Sequence, residues 1–149
     1  EEKYPIVVYF DGACADNPHG HTACGVYIEI KLEGMRTVNL SRYIGVGKKM
    51  SNNVGEWSGL IQALEFLLDA GLNEKVILFR GDSNMVVMQA KKKWRARNDK
   101  LYFPYYLEGM ELLKQFPNSV IEWIPREMNT IADDLSKDPL RERGIDIVY

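Results

Sequence analysis

Cysteine is scarce in this 149-residue chain: Cys14 and Cys24 are too few and too unevenly placed for a disulfide framework or a zinc site. No apolar run approaches the roughly 18 residues that crossing a bilayer requires. The first residues, Glu1-Glu2-Lys3, do not read as a signal peptide, because no basic region leads into a long apolar one. An initiator methionine is also missing, which leaves room for processing, trimming or excision from a longer protein. Histidine occurs only as His19 and His21, and no nucleophile–base pair suggestive of covalent catalysis is evident. These absences argue against a secreted disulfide scaffold and a membrane span. They leave a single domain over residues 1–149, with a cytoplasmic or nuclear setting as the default.

What is present is ordinary in bulk and uneven in detail. Hydrophobic residues make up 46% and charged residues 27%, as in a typical globular protein. The net charge of −2 by itself argues against a general nucleic-acid binder. Residues 91–100, KKKWRARNDK, nonetheless carry a local charge of +5, so the remainder sums to −7. Such asymmetry suits a local polyanion site on an acidic body, although a solvated basic loop would read the same way.

Hydrophobic periodicity organises the chain. Residues 5–10, 23–30 and 37–44 read as strands, with a hairpin turn at KLEGMR. Val54, Trp57, Leu60, Ile61, Leu64, Leu67 and Leu68 follow helical spacing up to Gly71. Residues 76–82, VILFRGD, form an apolar strand ending in aspartate, and Ser83 is placed to cap a short helix over 84–90. A helix over about 101–115 tolerates Pro104 only in its first turn. SVIEWIP is the last clear strand, MNTIADDLSK a short helix, and GIDIVY a further strand or a packed tail. Trp57 and Trp123 are expected in the core. The order predicts an α/β fold: a mixed five-stranded sheet, three antiparallel then two parallel strands, with helices on both faces.

In such sheets functional groups gather beyond strand ends, where Asp11 and Asp82 fall. Glu56 lies in the first turns of the long helix, beside Trp57; the helix dipole alone would justify a glutamate there. In the last helix Ile131 and Leu135 mark the expected packing stripe. Asp133 then shares a face with Asn129, whereas Asp134 lies on the outer side with Lys137 and Asp138. Clustered carboxylates repel unless a cation neutralises them, and hard oxygen donors suit Mg²⁺.

Four segments, in order from Tyr4 to Lys137, resemble ribonuclease H of type I. They are YFDGACADNP, SNNVGEWSGLIQAL, FRGDSNMVV and WIPREMNTIADDLS. The resemblance implies a ribonuclease H-like fold and an endonuclease that hydrolyses the RNA strand of RNA–DNA hybrids, leaving 5′-phosphate and 3′-hydroxyl ends. It assigns Asp11, Glu56, Asp82 and Asp133 to two Mg²⁺ ions (Mn²⁺ is the alternative), with Asp11 shared and no small-molecule cofactor. It places Gly12, Cys14, Asn17, Asn52, Asn53 and Asn84 against the hybrid, where the 2′-hydroxyl distinguishes RNA from DNA. Lys92, Lys93, Trp94 and Arg95 then fall to the DNA strand, as cations with an interleaved aromatic. The expected partner is the hybrid and the expected state a monomer.

The chain also departs from that family. The loop histidine of many members is missing from PREMN, and Asn84 stands where glutamine is common. His19 and His21 read as surface residues. The long basic protrusion of some bacterial members is reduced to residues 91–100, so the chain is closest in kind to short, archaeal-like forms. Arg126, Glu127 and the C-terminal tail are the candidates to replace the histidine. Competing readings are a non-catalytic hybrid-binding domain, another nuclease or transposase on the same fold, and a domain of a larger reverse transcriptase-type polyprotein.

Overall fold

The computed structural model describes residues 4–145. Strands β1 (Ile6–Cys14), β2 (Thr22–Ile30) and β3 (Arg36–Gly45) form an antiparallel meander. Helix α1 (Asn52–Asp69) crosses over to β4 (Ile77–Gly81), which lies parallel to β1. Helices α2 (Asn84–Ala90) and α3 (Phe103–Leu113) lead to β5 (Ser119–Trp123), parallel to β4. A 3-10 turn at Arg126–Met128 precedes α4 (Thr130–Glu142). The sheet order is β3-β2-β1-β4-β5, the mixed five-stranded sheet that the periodicity predicts.

Alternation along β1 explains how its two faces are used. Ile6, Val8 and Phe10 point into the main core against Trp57, Leu60 and Leu64 of α1. Each such buried side chain contributes about 1.5–3 kcal/mol relative to exposure. Tyr106 and Gly109 of α3 close over the Trp57 ring, whose edge meets Tyr106 at 5.4 Å between centroids. A Cβ on Gly109 would lie 2.7 Å from that ring, so glycine permits the approach. On the opposite face α4 rests on the meander; a Cβ on Gly25 would lie 2.3 Å from the Ser136 nitrogen.

Ser83 caps α2 as expected, and Ser51 plays the same part for α1. Ser51 and Ser83 accept from the amides of Val54 and Val86, and Pro104 occupies the first turn of α3.

Several expectations are corrected. Strand β1 runs four residues past Phe10, because β2 keeps pairing with it as far as Cys14↔Thr22 after β4 has stopped at Phe10↔Gly81. Helix α4 passes beyond Lys137 and includes Pro139. A proline leaves the carbonyl four residues earlier without its helical donor, and here the Ser41 hydroxyl of β3 donates to Leu135 O at 2.7 Å. The packing face of α4 is Ala132, Ser136 and Leu140, while Ile131 is 48% exposed. Trp123 is 49% exposed on edge strand β5, whereas Trp57 is fully buried. His19 is exposed, but His21 is half-buried and hydrogen-bonds the Tyr43 hydroxyl at 2.7 Å. Within GIDIVY, Gly144 and Ile145 close the end of α4 through Arg141 O and Leu140 O; positions 146–149 lie outside the described residues.

Candidate active site

The site forms where β1 and β4 part. Asp11 follows the last residue of β1 paired with β4, and Asp82 follows the last residue of β4, so both side chains leave the sheet at one place. Glu56 reaches it from the second turn of α1, which can approach because Gly12 has no side chain. A Cβ at Gly12 would sit 2.2–2.3 Å from the backbone of Gly55 and Glu56. Carboxylate oxygens of Asp11, Glu56 and Asp82 lie within 4.8 Å of one another. They line a cavity of about 260 Å³ together with Asn52, Arg126 and Asp133.

Burial makes this costly in charge. It pushes Asp11 up to about 7, against a hydrogen bond from Glu56 and the Gly12 amide at 2.9 Å, and with repulsion from Asp82 and Asp133. Burial also raises Glu56 well above the carboxylate range, reinforced by the charge of Asp11. Asp82 is raised chiefly by burial, opposed by Asn129 and by the Arg126 guanidinium. Among the described residues, Glu56 Oε1 is buried with no hydrogen-bond partner. A buried acceptor without a donor costs about 1–3 kcal/mol. The donor set is all carboxylate oxygen, and a hard divalent cation is the chemistry that would satisfy it.

Asp133 lines the same cavity but stands outside the tight trio. Its Oδ2 holds the Lys137 ammonium at 3.0 Å, one helical turn on. Sequence reading placed Lys137 on the outer side; the i, i+4 spacing was the signal for this pair. Asp134 turns outward and binds Arg141 at 2.7 Å, as expected for the outer residue. Two further supports escaped the sequence. Asn129 donates to Phe10 O at 3.0 Å and to Asp82 Oδ2 at 3.2 Å, and the Trp123 indole donates to Asp82 O at 3.1 Å.

The other candidate residues divide into two groups. Asn52 is exposed at the cavity, Asn53 is half-buried, and Asn84 is exposed at the start of α2. Asn17 is exposed, but its Oδ1 accepts from the Asn52 amide at 2.8 Å and so ties the loop after β1 to the start of α1. The Cys14 side chain is buried, with Sγ toward the carbonyls of Ala15 and Gly20. Lys92, Lys93, Trp94 and Arg95 are all exposed and line an open hollow of about 1010 Å³ with Phe103, Tyr106 and Leu107, apart from the carboxylates.

A family model described as reverse transcriptase-like matches residues 9–138. The solved ribonuclease H1 of the archaeon Halobacterium salinarum superposes with a TM-score of 0.79 at 32% identity, covering 92% of this chain and 98% of that one. The chain belongs to the ribonuclease H type I family. This is a family of nucleases, and the segments that carried the resemblance lie in β1, α1, β4–α2 and α4. LC11-RNase H1, solved in complex with an RNA/DNA hybrid, is 31% identical with a TM-score of 0.75, covering 87% of this ribonuclease H chain and 92% of its own. A putative hydrolase, EbsB of Enterococcus faecalis, is 33% identical over 135 residues, covering 91% of this chain and 93% of EbsB. The chain spans 64% of the curated Halobacterium ribonuclease HI and 35% of several mycobacterial relatives.

Proposed function

We propose that residues 1–149 form one monomeric endonuclease domain that hydrolyses the RNA strand of RNA–DNA hybrids. The reading rests on one observation: three carboxylates, one buried and two half-buried, share a site where β1 and β4 part, and Glu56 Oε1 is left there without a donor. A protein that only bound hybrids would gain nothing from holding so much unneutralised acid together. The relative solved with an RNA/DNA hybrid supports the choice of substrate.

Asp11, Glu56, Asp82 and Asp133 would hold two Mg²⁺ or Mn²⁺ ions, with Asp11 shared. Such a pair supplies an activated water nucleophile and stabilises the departing 3′ oxygen, giving 5′-phosphate and 3′-hydroxyl ends. The residues of the chain do the rest. Gly12 and Gly55 let α1 bring Glu56 against β1, and Asn129 holds Asp82. Arg126 puts a guanidinium at the cavity, where a scissile phosphate would need a cation. Asn52 at the cavity and Asn84, exposed two residues after Asp82, would read the RNA strand, and Lys92, Lys93, Trp94 and Arg95 would take the DNA backbone. Asn17 positions Asn52 by accepting from its backbone amide, Asn53 lies beside it on α1, and Gly12 and Cys14 would lie beneath the RNA in the last residues of β1. A cytoplasmic or nuclear location suits both the two free cysteines and the substrate.

The test is to incubate the protein with labelled hybrid, double-stranded RNA, single-stranded RNA and duplex DNA, each with Mg²⁺, Mn²⁺ or chelator. Metal-dependent cleavage of the hybrid's RNA strand alone is expected, and binding without cleavage under every condition would refute it.

A further inference from the structure

The basic segment 91–100 has no regular structure, and nine of its ten residues are exposed. Only Ala96 is half-buried, packed against the main core. At its start, the Lys92 amide donates to Gln89 O, and those of Lys93 and Trp94 to Met88 O. The middle is held differently. The Arg97 amide donates to the Tyr102 hydroxyl at 3.0 Å, and that hydroxyl also accepts from Gln89 Nε2 at 3.0 Å. Gln89 Oε1 in turn accepts from the Trp57 indole at 3.2 Å. Trp57 is the residue after Glu56, and Trp57, Gln89 and Tyr102 are all buried.

The polarity of this chain of hydrogen bonds is fixed by chemistry. An indole N–H can only donate, so Gln89 must turn its carbonyl oxygen to Trp57 and its NH₂ to Tyr102. The Tyr102 oxygen is then an acceptor, with a second lone pair for Arg97. Each member has one workable orientation, and the low-dielectric surroundings make any lost partner costly. A glutamine amide buried this deeply is an unusual core residue, since an apolar side chain of the same size would pack there without needing partners. Its orientation links the helix that carries Glu56 to the loop that carries the cations.

We propose that Gln89 and Tyr102 are positioning residues, forming a buried strut that sets where the basic loop stands relative to the carboxylate site and so governs hybrid affinity. This rests on the reading above that the loop contacts the hybrid. The strut touches neither substrate nor metal, and it acts through Lys92, Lys93 and Arg95.

The experiment compares the wild type with Tyr102→Phe and Gln89→Met, and with both changes made in a variant carrying Lys92→Gln, Lys93→Gln and Arg95→Gln. Dissociation constants for a labelled RNA–DNA hybrid are measured without metal at several salt concentrations, with KM and kcat in Mg²⁺ and melting temperatures alongside. Each strut variant is expected to weaken hybrid binding about fivefold or more, with KM rising more than kcat falls. In the loop-neutralised background the same changes should have little further effect. A lower melting temperature with unchanged hybrid affinity in both strut variants would show a purely structural role and overturn the inference. An equally large loss in the neutralised background would overturn it too, because the strut would then be acting elsewhere. If the neutralised variant binds hybrid as the wild type does, the assignment of the loop to the hybrid is wrong, and the strut's role fails with it.

Discussion

The acidic cluster and the basic loop are both concentrations of charge, yet the fold treats them in opposite ways. Asp11 projects from β1 where its pairing with β4 stops, Asp82 from just past the end of β4, and Glu56 from a helix locked against them by Gly12 and Gly55. The cations of residues 91–100 stand in solvent on irregular backbone, held in mid-loop through one buried hydroxyl and Ala96. The difference follows from solvation. Like charges brought out of water repel strongly, and only a scaffold too stiff to yield can keep them together. Cations in water are screened within about 10 Å at 0.1 M salt, so a light tether is enough. The first region should therefore respond to protons and divalent ions, and the second to ionic strength.

The most direct way to break this contrast is Asp11→Asn. It keeps the shape but removes the carboxylate common to both proposed metal positions, and hybrid cleavage should fall about 10³-fold or more. In the metal-free protein the same change should raise the melting temperature at pH 8, because a buried charge is removed. Loss of activity together with loss of the folded circular-dichroism spectrum would mean that Asp11 is structural.

Acidity supplies the next test. Asp11 holds its proton to about pH 7 when folded, against 3.8 as its ordinary value. Between those values the folded chain binds a proton that the unfolded chain has released, so the Asp11 contribution to stability falls as pH rises from about 4 through 7, and the raised Glu56 and Asp82 act in the same direction. For Asp11 alone the fall is about 4 kcal/mol at most. Urea titrations of metal-free protein at pH 5 and pH 8 should show the lower midpoint at pH 8, and Asp11→Asn should shrink the difference, leaving the share of Glu56 and Asp82. Millimolar Mn²⁺ should restore stability at pH 8 more than at pH 5, since protons and metal compete for the same oxygens.

The rigid side of the comparison can be stressed mechanically. Gly25→Ala places a methyl 2.3 Å from the Ser136 nitrogen and 2.6 Å from Ala132 O. Backbone cannot swing aside as a side chain would, so α4 must lift from β2, at a cost of about 3 kcal/mol. Asp133 rides on that helix, and activity should fall in step with the urea midpoint. The loop calls for a different probe. Replacing Lys92, Lys93 and Arg95 by glutamine should reduce the slope of log affinity against log salt by about 3, about one unit for each phosphate no longer neutralised. The urea midpoint should barely move.

How far the sequence discloses this arrangement differs between the two regions for the same physical reason. Strand and helix periods are set by burial, so the element order could be read from the apolar pattern, with Asp11 and Asp82 following apolar strands. That Glu56 joins them was implied by the resemblance of YFDGACADNP, SNNVGEWSGLIQAL and FRGDSNMVV to ribonuclease H. What could not be read depends on contacts between distant segments. Nothing local says that Ser41 of β3 will satisfy the carbonyl freed by Pro139, so α4 looked shorter than it is. Nothing local says that Tyr102 reaches back to Arg97 and Gln89. Gly12 is a like case: that α1 occupies the space its side chain would fill is seen only in the fold.

Trp123 gives the smallest effect, with Trp57 as its control. Trp57 and Trp123 are both expected in the core from the sequence, yet one fills it and the other lies half-exposed on edge strand β5. Trp57→Ala should cost about 3–5 kcal/mol in urea denaturation and should also weaken hybrid binding, because the indole orients Gln89. Trp123→Ala should cost about 1 kcal/mol or less. Its removal leaves Asp82 O short of one donor at the edge of the acidic site, while Asn129 still holds the Asp82 carboxylate. A loss at Trp123 comparable to that at Trp57 would mean that edge strand β5 is as tightly packed as the centre of the sheet. The stiffness credited to β1, β4 and α1 would then belong to the whole sheet.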